Sequence, residues 1–150
     1  MAAWQFVVDL IPNSWIAEGG NANVLKKDFV GTSPAWSGCS IRLDDVIHSI
    51  SFVEKTLSWD PNLTIWGDLE KTDIQIWAEN GSIDSIQIRL DLREDFLNLV
   101  NEIFVLSKRI GCSVLVRENL IFVENEDELL SAIKTSRAAI FVQEQSSVMS

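Results

Sequence analysis

The pair Asn80-Gly81, set between the runs Asp73-Ile74-Gln75-Ile76-Trp77-Ala78 and Ile86 to Leu92, constrains this chain more than any other feature. Asn-Gly supplies the left-handed backbone that a tight hairpin needs, and alternating apolar residues on both sides mark half-buried strands. A two-residue loop alone would pair Glu79 with Ser82 and place Ile74 and Ile76 on one face with Gln87 and Ser85. That arrangement wastes Ile86, Ile88, Leu90 and Leu92, because a shift of one residue turns every side chain to the other face. A three-residue loop with Gly81 in the bulge position, or a bulge near Asp84-Ser85, restores even to even. The pattern therefore predicts a bulged hairpin.

Other elements follow from period and punctuation. Trp4 to Ile11 reads as a strand stopped by Pro12-Asn13-Ser14, and Trp15 to Gly38 as loops around one short helix near Asn23 to Phe29. Between Ile41 and Leu57 the residues Leu43, Val46, Ile47, Ile50, Val53 and Leu57 recur at helical spacing. Asp60-Pro61-Asn62 marks a turn before a strand over Leu63 to Trp66, which Gly67-Asp68 separates from the hairpin. Asp91 and Glu94 form a capping-box pattern ahead of Phe96 to Ile110, and Gly111 stands where that helix ends. Strands over Ser113 to Arg117 and Leu120 to Glu124 come next. A helix capped by Asn125 carries acids in its first turn and Lys134 and Arg137 in its last, and a final strand over Ala138 to Gln143 leads to a polar tail, frayed from about residue 144.

From Ile86 onward the order is β-α-β-β-α-β, that of a ferredoxin-like unit. In such a unit the first strand has a neighbour on each side, yet here it must also pair with Asp73 to Ala78. The expectation is an α+β domain spanning the whole chain, with a larger mixed, mainly antiparallel sheet and helices packed mainly on one face.

Charge narrows the partners. With 22 acidic against 12 basic side chains the formal charge is -10, which repels phosphate backbones and anionic headgroups. Nucleic acid and membrane are not expected partners; a basic protein is, because complementary fields speed encounter. No apolar run approaches the roughly 20 residues that cross a bilayer, and the first residues lack a secretory pattern. Cys39 and Cys112 are far apart in sequence and read as free thiols, which suits the cytoplasm.

Chemistry-bearing motifs are few. The chain has no phosphate-binding glycine loop, dinucleotide fingerprint or nucleophile elbow, and neither a cofactor nor a metal site is expected. His48 is the single histidine; with Asp44 one turn before it, the pair reads as an exposed helix-surface pair, and no catalytic residue is assigned. The carboxylate pairs Asp44-Asp45 and Glu94-Asp95 and the run Glu124 to Glu128 all fall at predicted helix starts. Six tryptophans lie within the first 77 residues, most of them expected in the core. Trp77 differs. It falls on the strand face opposite Ile74, Ile76 and Ala78, beside Asp73, Gln75 and Glu79, with Arg89 and Ile83 across the hairpin. An accessible aromatic in that company has the make-up of an interaction hot spot, so Asp73, Gln75, Trp77, Glu79 and Arg89 form the candidate partner-binding set.

Two stretches carry a family resemblance: Ile65-Trp66-Gly67-Asp68 followed by Asp73-Ile74-Gln75-Ile76, and Leu130 to Val142 with Ser136-Arg137-Ala138 leading into Phe141-Val142. They resemble small bacterial proteins, and in size, acidity and α+β make-up the chain is similar to immunity proteins of polymorphic-toxin and contact-dependent inhibition systems. The resemblance implies a bacterial, cytoplasmic, non-enzymatic protein that neutralises a toxin by covering its active site, and it assigns no binding residue. A small-molecule-binding or regulatory homodimeric domain is the alternative reading, and an unfamiliar enzyme using Asp44 and His48 a third.

Overall fold

The central hairpin sets the register of the whole sheet. Asn80 and Gly81 both take positive φ (54° and 81°), so the loop is the two-residue kind, with Glu79 opposite Ser82. The register then shifts between Trp77 and Ala78: Ala78 pairs with Ile83, Trp77 with Ser85 and Ile76 with Ile86. Asp84 is the extra residue. Of the two ways to match even with even, the chain uses the bulge near Asp84-Ser85, and Ile74 and Ile76 duly face Ile88 and Ile86.

The computed structural model describes residues 1–27 and 32–149. In chain order the elements are β1 (Gln5–Pro12), α1 (Asn13–Ala17), α2 (Ala22–Lys27), α3 (Ser33–Trp36), α4 (Leu43–Ser49), β2 (Lys55–Thr56), β3 (Leu63–Gly67), β4 (Asp73–Glu79), β5 (Ser82–Asp91), α5 (Leu97–Ile110), β6 (Cys112–Val116), β7 (Ile121–Val123), α6 (Glu126–Lys134) and α7 (Arg137–Met149). The seven strands form one sheet in the order β2-β3-β4-β5-β1-β6-β7, and every neighbouring pair is antiparallel. The expected α+β sheet is present, larger than a ferredoxin-like unit and without a parallel pair. Among the described residues no helix is long and apolar enough to cross a membrane.

Register assigns the two faces. Val8 lies opposite Ile88 and Val116, and Leu10 opposite Val114, so these residues share a face with Ile74, Ile76, Ile86 and Leu90. They form one apolar cluster with Val46 of α4, Val100, Ile103 and Phe104 of α5, and Leu129 and Ile133 of α6. This is the helix-covered face. Burial of a large aliphatic side chain contributes about 1.5–3 kcal/mol, and here both layers supply them.

Four segments differ from the sequence reading. The region from Trp15 to Gly38 holds more helix than expected: α1 begins within the predicted stop at Asn13, α3 adds a turn at Ser33–Trp36, and the last residues of the helix predicted near Asn23 to Phe29 lie outside the described residues. The helix predicted to Leu57 stops at Ser49. Ile50 takes extended backbone (φ -98°, ψ 105°) and donates its N–H to the Ile47 carbonyl three residues back, which closes the last turn. The chain then extends to pair Lys55 with Trp66 and Thr56 with Ile65.

The capping box at Asp91 and Glu94 is absent. Asp91 closes β5, its carboxylate is taken by Arg93, and α5 starts at Leu97, whose N–H donates to the Asp95 side chain. Gly111 ends α5 as expected. The predicted last strand, Ala138 to Gln143, is instead part of α7, which runs from Arg137 to Met149. Ser136 decides this. Its hydroxyl oxygen accepts the Ala139 N–H at 3.1 Å, so Arg137 opens a new helix and α6 closes at Lys134. Ala138 is buried while Ile140 is exposed. The Asn125 cap of α6 forms as read, with its side chain accepting the Glu128 N–H at 2.9 Å.

Candidate functional site

The expected set Asp73, Gln75, Trp77, Glu79 and Arg89 runs the length of β4 and onto β5 but does not form one kind of surface. Asp73, Gln75, Trp77 and Arg89 share the sheet face opposite the helices, since Asp73 pairs with Arg89 and Gln75 with Gln87. Trp77 is opposite the apolar face of its own strand, as read, and half-buried between Leu63 and Ser85. Ile83 is not on this face; the bulge moves it to the helix side with Ala78. Glu79, beside the turn, is exposed.

The charged members face one another. Asp73 is 0% and Arg89 8% exposed, and the guanidinium binds the carboxylate with both Nε, at 2.7 Å, and Nη2. Gln75 Nε2 donates to Asp73 Oδ2 at 3.0 Å. Arg89 Nη2 also donates to the main-chain carbonyl of Leu69, and Gln5 donates to the carbonyls of Leu69 and Lys71. The β3–β4 turn therefore folds onto this end of the face. Gly67 permits the fold-back: its φ is +89°, and a Cβ there would meet the Thr72 carbonyl oxygen at 2.2 Å.

Two further pairs complete the network. Arg117 binds Asp9 through Nε at 2.9 Å and Nη2 at 2.5 Å, and Arg93 binds Asp91 at 3.0 and 2.8 Å while stacking 3.9 Å over the Trp4 ring. Burial pushes the Asp9 carboxyl up from the ordinary value, opposed by Arg117. Burial acts the same way on Asp91, but the hydrogen bonds from Arg93 outweigh it and hold that carboxyl low. Bidentate pairing of this kind accommodates carboxylates that water cannot reach. Asp9 had a signal in the sequence: a lone carboxylate inside Phe6-Val7-Val8-Asp9-Leu10-Ile11 requires a cation.

The remaining chemistry-bearing residues occupy ordinary positions. His48 is exposed, and its Nδ1 lies 2.7 Å from the main-chain oxygen of Asp44, not its carboxylate. Asp44 and Asp45 sit in the first turn of α4. Glu94 makes an exposed pair with Lys71 at 3.8 Å. Both cysteines are free, and burial, with Cys39 nearby, pushes the Cys112 thiol up to about 12. Among the described residues no group of three or more histidine, cysteine, aspartate or glutamate side chains is placed to hold a metal ion.

Two strongly exposed apolar groups lie elsewhere, in the loop between β2 and β3. Leu57 is 96% and Trp59 65% exposed. The loop is nonetheless held: Asp60 N–H donates to Ser58 Oγ, Asn62 N–H to Asp60 Oδ1 at 2.8 Å, and Leu63 N–H to the Asp60 carbonyl at 3.1 Å. Ala78 N–H donates to the Asn62 carbonyl, which ties the loop to β4 next to Trp77 and Glu79. Helical spacing assigns Leu57 to a buried face, and Trp59 counts among tryptophans expected in the core. The readable signal was local, since an aromatic between Ser58 and Asp60-Pro61-Asn62 sits in a turn with no periodic face to bury it. In comparisons with known proteins, no family model, no curated protein and no solved structure matches this chain.

Proposed function

We propose that this chain is a protein-binding module that recognises a basic partner through the loop carrying Leu57 and Trp59, as an immunity protein recognises the toxin domain whose active site it covers. The exposure of Leu57 and Trp59 carries the reading: water-facing large apolar side chains on a hydrogen-bonded loop are anchors whose ordering cost is already met in the free protein. Trp77 and Glu79 border the loop and extend the same surface. Asp73, Gln75 and Arg89 hold the strands beneath. The net charge of -10 steers a basic partner toward it.

The test co-expresses the chain with basic proteins encoded beside its gene and measures complex formation by calorimetry. Trp59→Ala should weaken the complex by about 2 kcal/mol or more, roughly thirtyfold in Kd, with an unchanged melting temperature. A Trp59→Ala, Leu57→Ser double variant that binds as tightly as the parent would overturn this reading.

A further inference from the structure

We propose that the outer edge of β7, with the cleft between β7 and α6, receives an extended segment of a basic polypeptide as an eighth strand. The site lies at the other end of the sheet from the Leu57–Trp59 loop and stands independently of it. Because β7 is terminal in the strand order, its outer side faces no further strand among the described residues, and an edge strand presents main-chain N–H and C=O groups for pairing. Such edges are commonly blunted by brevity, lysine, proline or a bulge, and at three residues β7 has the first of these. Ile121-Phe122-Val123 contains no lysine or proline, its pairing with β6 is regular, and Ile121 is 54% exposed.

The register says where an added strand would put its side chains. Ile121 and Val123 pair with Val116 and Val114, on the helix-covered face, and Phe122 lies on the other. On the helix side a cleft of about 440 Å³ separates β7 from α6, lined by Val116, Ile121, Val123 and Ala132 with Asp127 and Ser131 among its polar groups. Successive residues of an added strand alternate between faces, so every second one would point toward that cleft. An apolar residue fits its lining.

Charge selects the flanking residues. Glu124, Glu126, Asp127 and Glu128 follow β7 directly, and Asp127 and Glu128 are exposed. The run stands at the end of β7 beyond Val123, so lysine or arginine at the end of the added strand that passes it complements the charge. A second copy of this chain brings the same acids and a net charge of -10, which opposes self-association at long range.

The probe is the capped hexapeptide Lys-Ile-Lys-Val-Arg-Val, titrated into the isotopically labelled full chain by NMR. Binding should shift the amides of 121–123 and 127–132. Ser131→Phe, which fills the cleft from an exposed position, should weaken it by roughly tenfold or more. Methylating alternate peptide nitrogens along either edge in turn removes the pairing donors while keeping charge and side chains, and one of the two peptides should lose binding. Trp59→Ala should bind the probe like the parent, which separates this site from the loop. No binding, equal binding by both methylated peptides, or shifts spread over the acidic surface would overturn the proposal. A concentration-dependent dimer abolished by Ile121→Lys, with no peptide binding, would assign the edge to a second copy and overturn it too.

Discussion

Arg89→Met separates a structural network from a recognition surface. The substitution keeps most of the aliphatic stem and removes the charge that Asp73 faces. Asp73 is 0% exposed, so the worth of a solvent-screened pair, about 0–1 kcal/mol, does not apply. Removing one partner of a buried pair leaves an uncompensated charge and typically costs about 3–5 kcal/mol. Gln75 would keep one hydrogen bond to Asp73, and the Leu69 carbonyl would lose the Arg89 donor, so the turn over this face should loosen as well. With a urea m-value of about 2 kcal/mol/M, the midpoint should fall by roughly 1.5–2.5 M. Thermal melts should drop by about 6–20 °C. The double variant Asp73→Leu, Arg89→Met should recover most of the loss, because apolar replacement of an entire buried pair is often neutral or better. A single variant within about 1 kcal/mol of the parent would refute the reasoning, since it would mean that water reaches Asp73 in the folded state.

Three further outcomes are expected. Gly67→Ala should destabilise clearly more than Gly81→Ala: both carry the roughly 1–2 kcal/mol cost of a left-handed residue, but only at Gly67 does the new methyl meet a carbonyl oxygen, and equal melts would argue against the clash. Cys112, with its thiol pushed up to about 12, should resist a thiol reagent at pH 8 until the chain unfolds while half-buried Cys39 reacts, and two thiols reacting at one rate would contradict this. Asp91→Asn should be less stable than the parent at pH 7. Because the folded carboxyl titrates below its ordinary value, the gap should persist down to about pH 4 and close as pH falls through the folded pKa, and a gap that widens in acid would be the wrong sign.

The hairpin was legible because two independent signals, the Asn-Gly loop and the alternation on both strands, admitted few registers, and the bulge follows from reconciling them. The cap at Asn125 was legible for the same reason: a side-chain acceptor and three acids point to one helix start. What misled were apolar residues whose spacing suits two structures. Ile50 and Val53 continue a helical stripe, but the backbone turns extended at Ile50 and the helix closes there. Ala138 to Val142 is a continuous apolar run that reads as a buried strand, whereas the hydroxyl of Ser136, bonding the Ala139 N–H, caps it as a helix. The candidate site was legible as a face but not as a network. Trp77 and its neighbours follow from alternation, whereas the pairing of Asp9 with Arg117 spans 108 positions that no local pattern connects.

The network also bears on where recognition can occur. One face of the sheet is covered by helices, and on the other Asp9, Asp73, Arg89 and Asp91 are buried and engaged with neighbours in the chain. A ligand that used those groups would first have to open bidentate pairs, at a cost that surface contacts rarely return. Binding energy is obtained more readily from groups that are apolar, exposed and already held in place. On this sheet those groups stand at its two ends, Leu57 and Trp59 beside β2 and Ile121 on β7. The antiparallel order that buries the central strands leaves β2 and β7 as its edges, which is why both proposed sites lie there and why they can be tested separately.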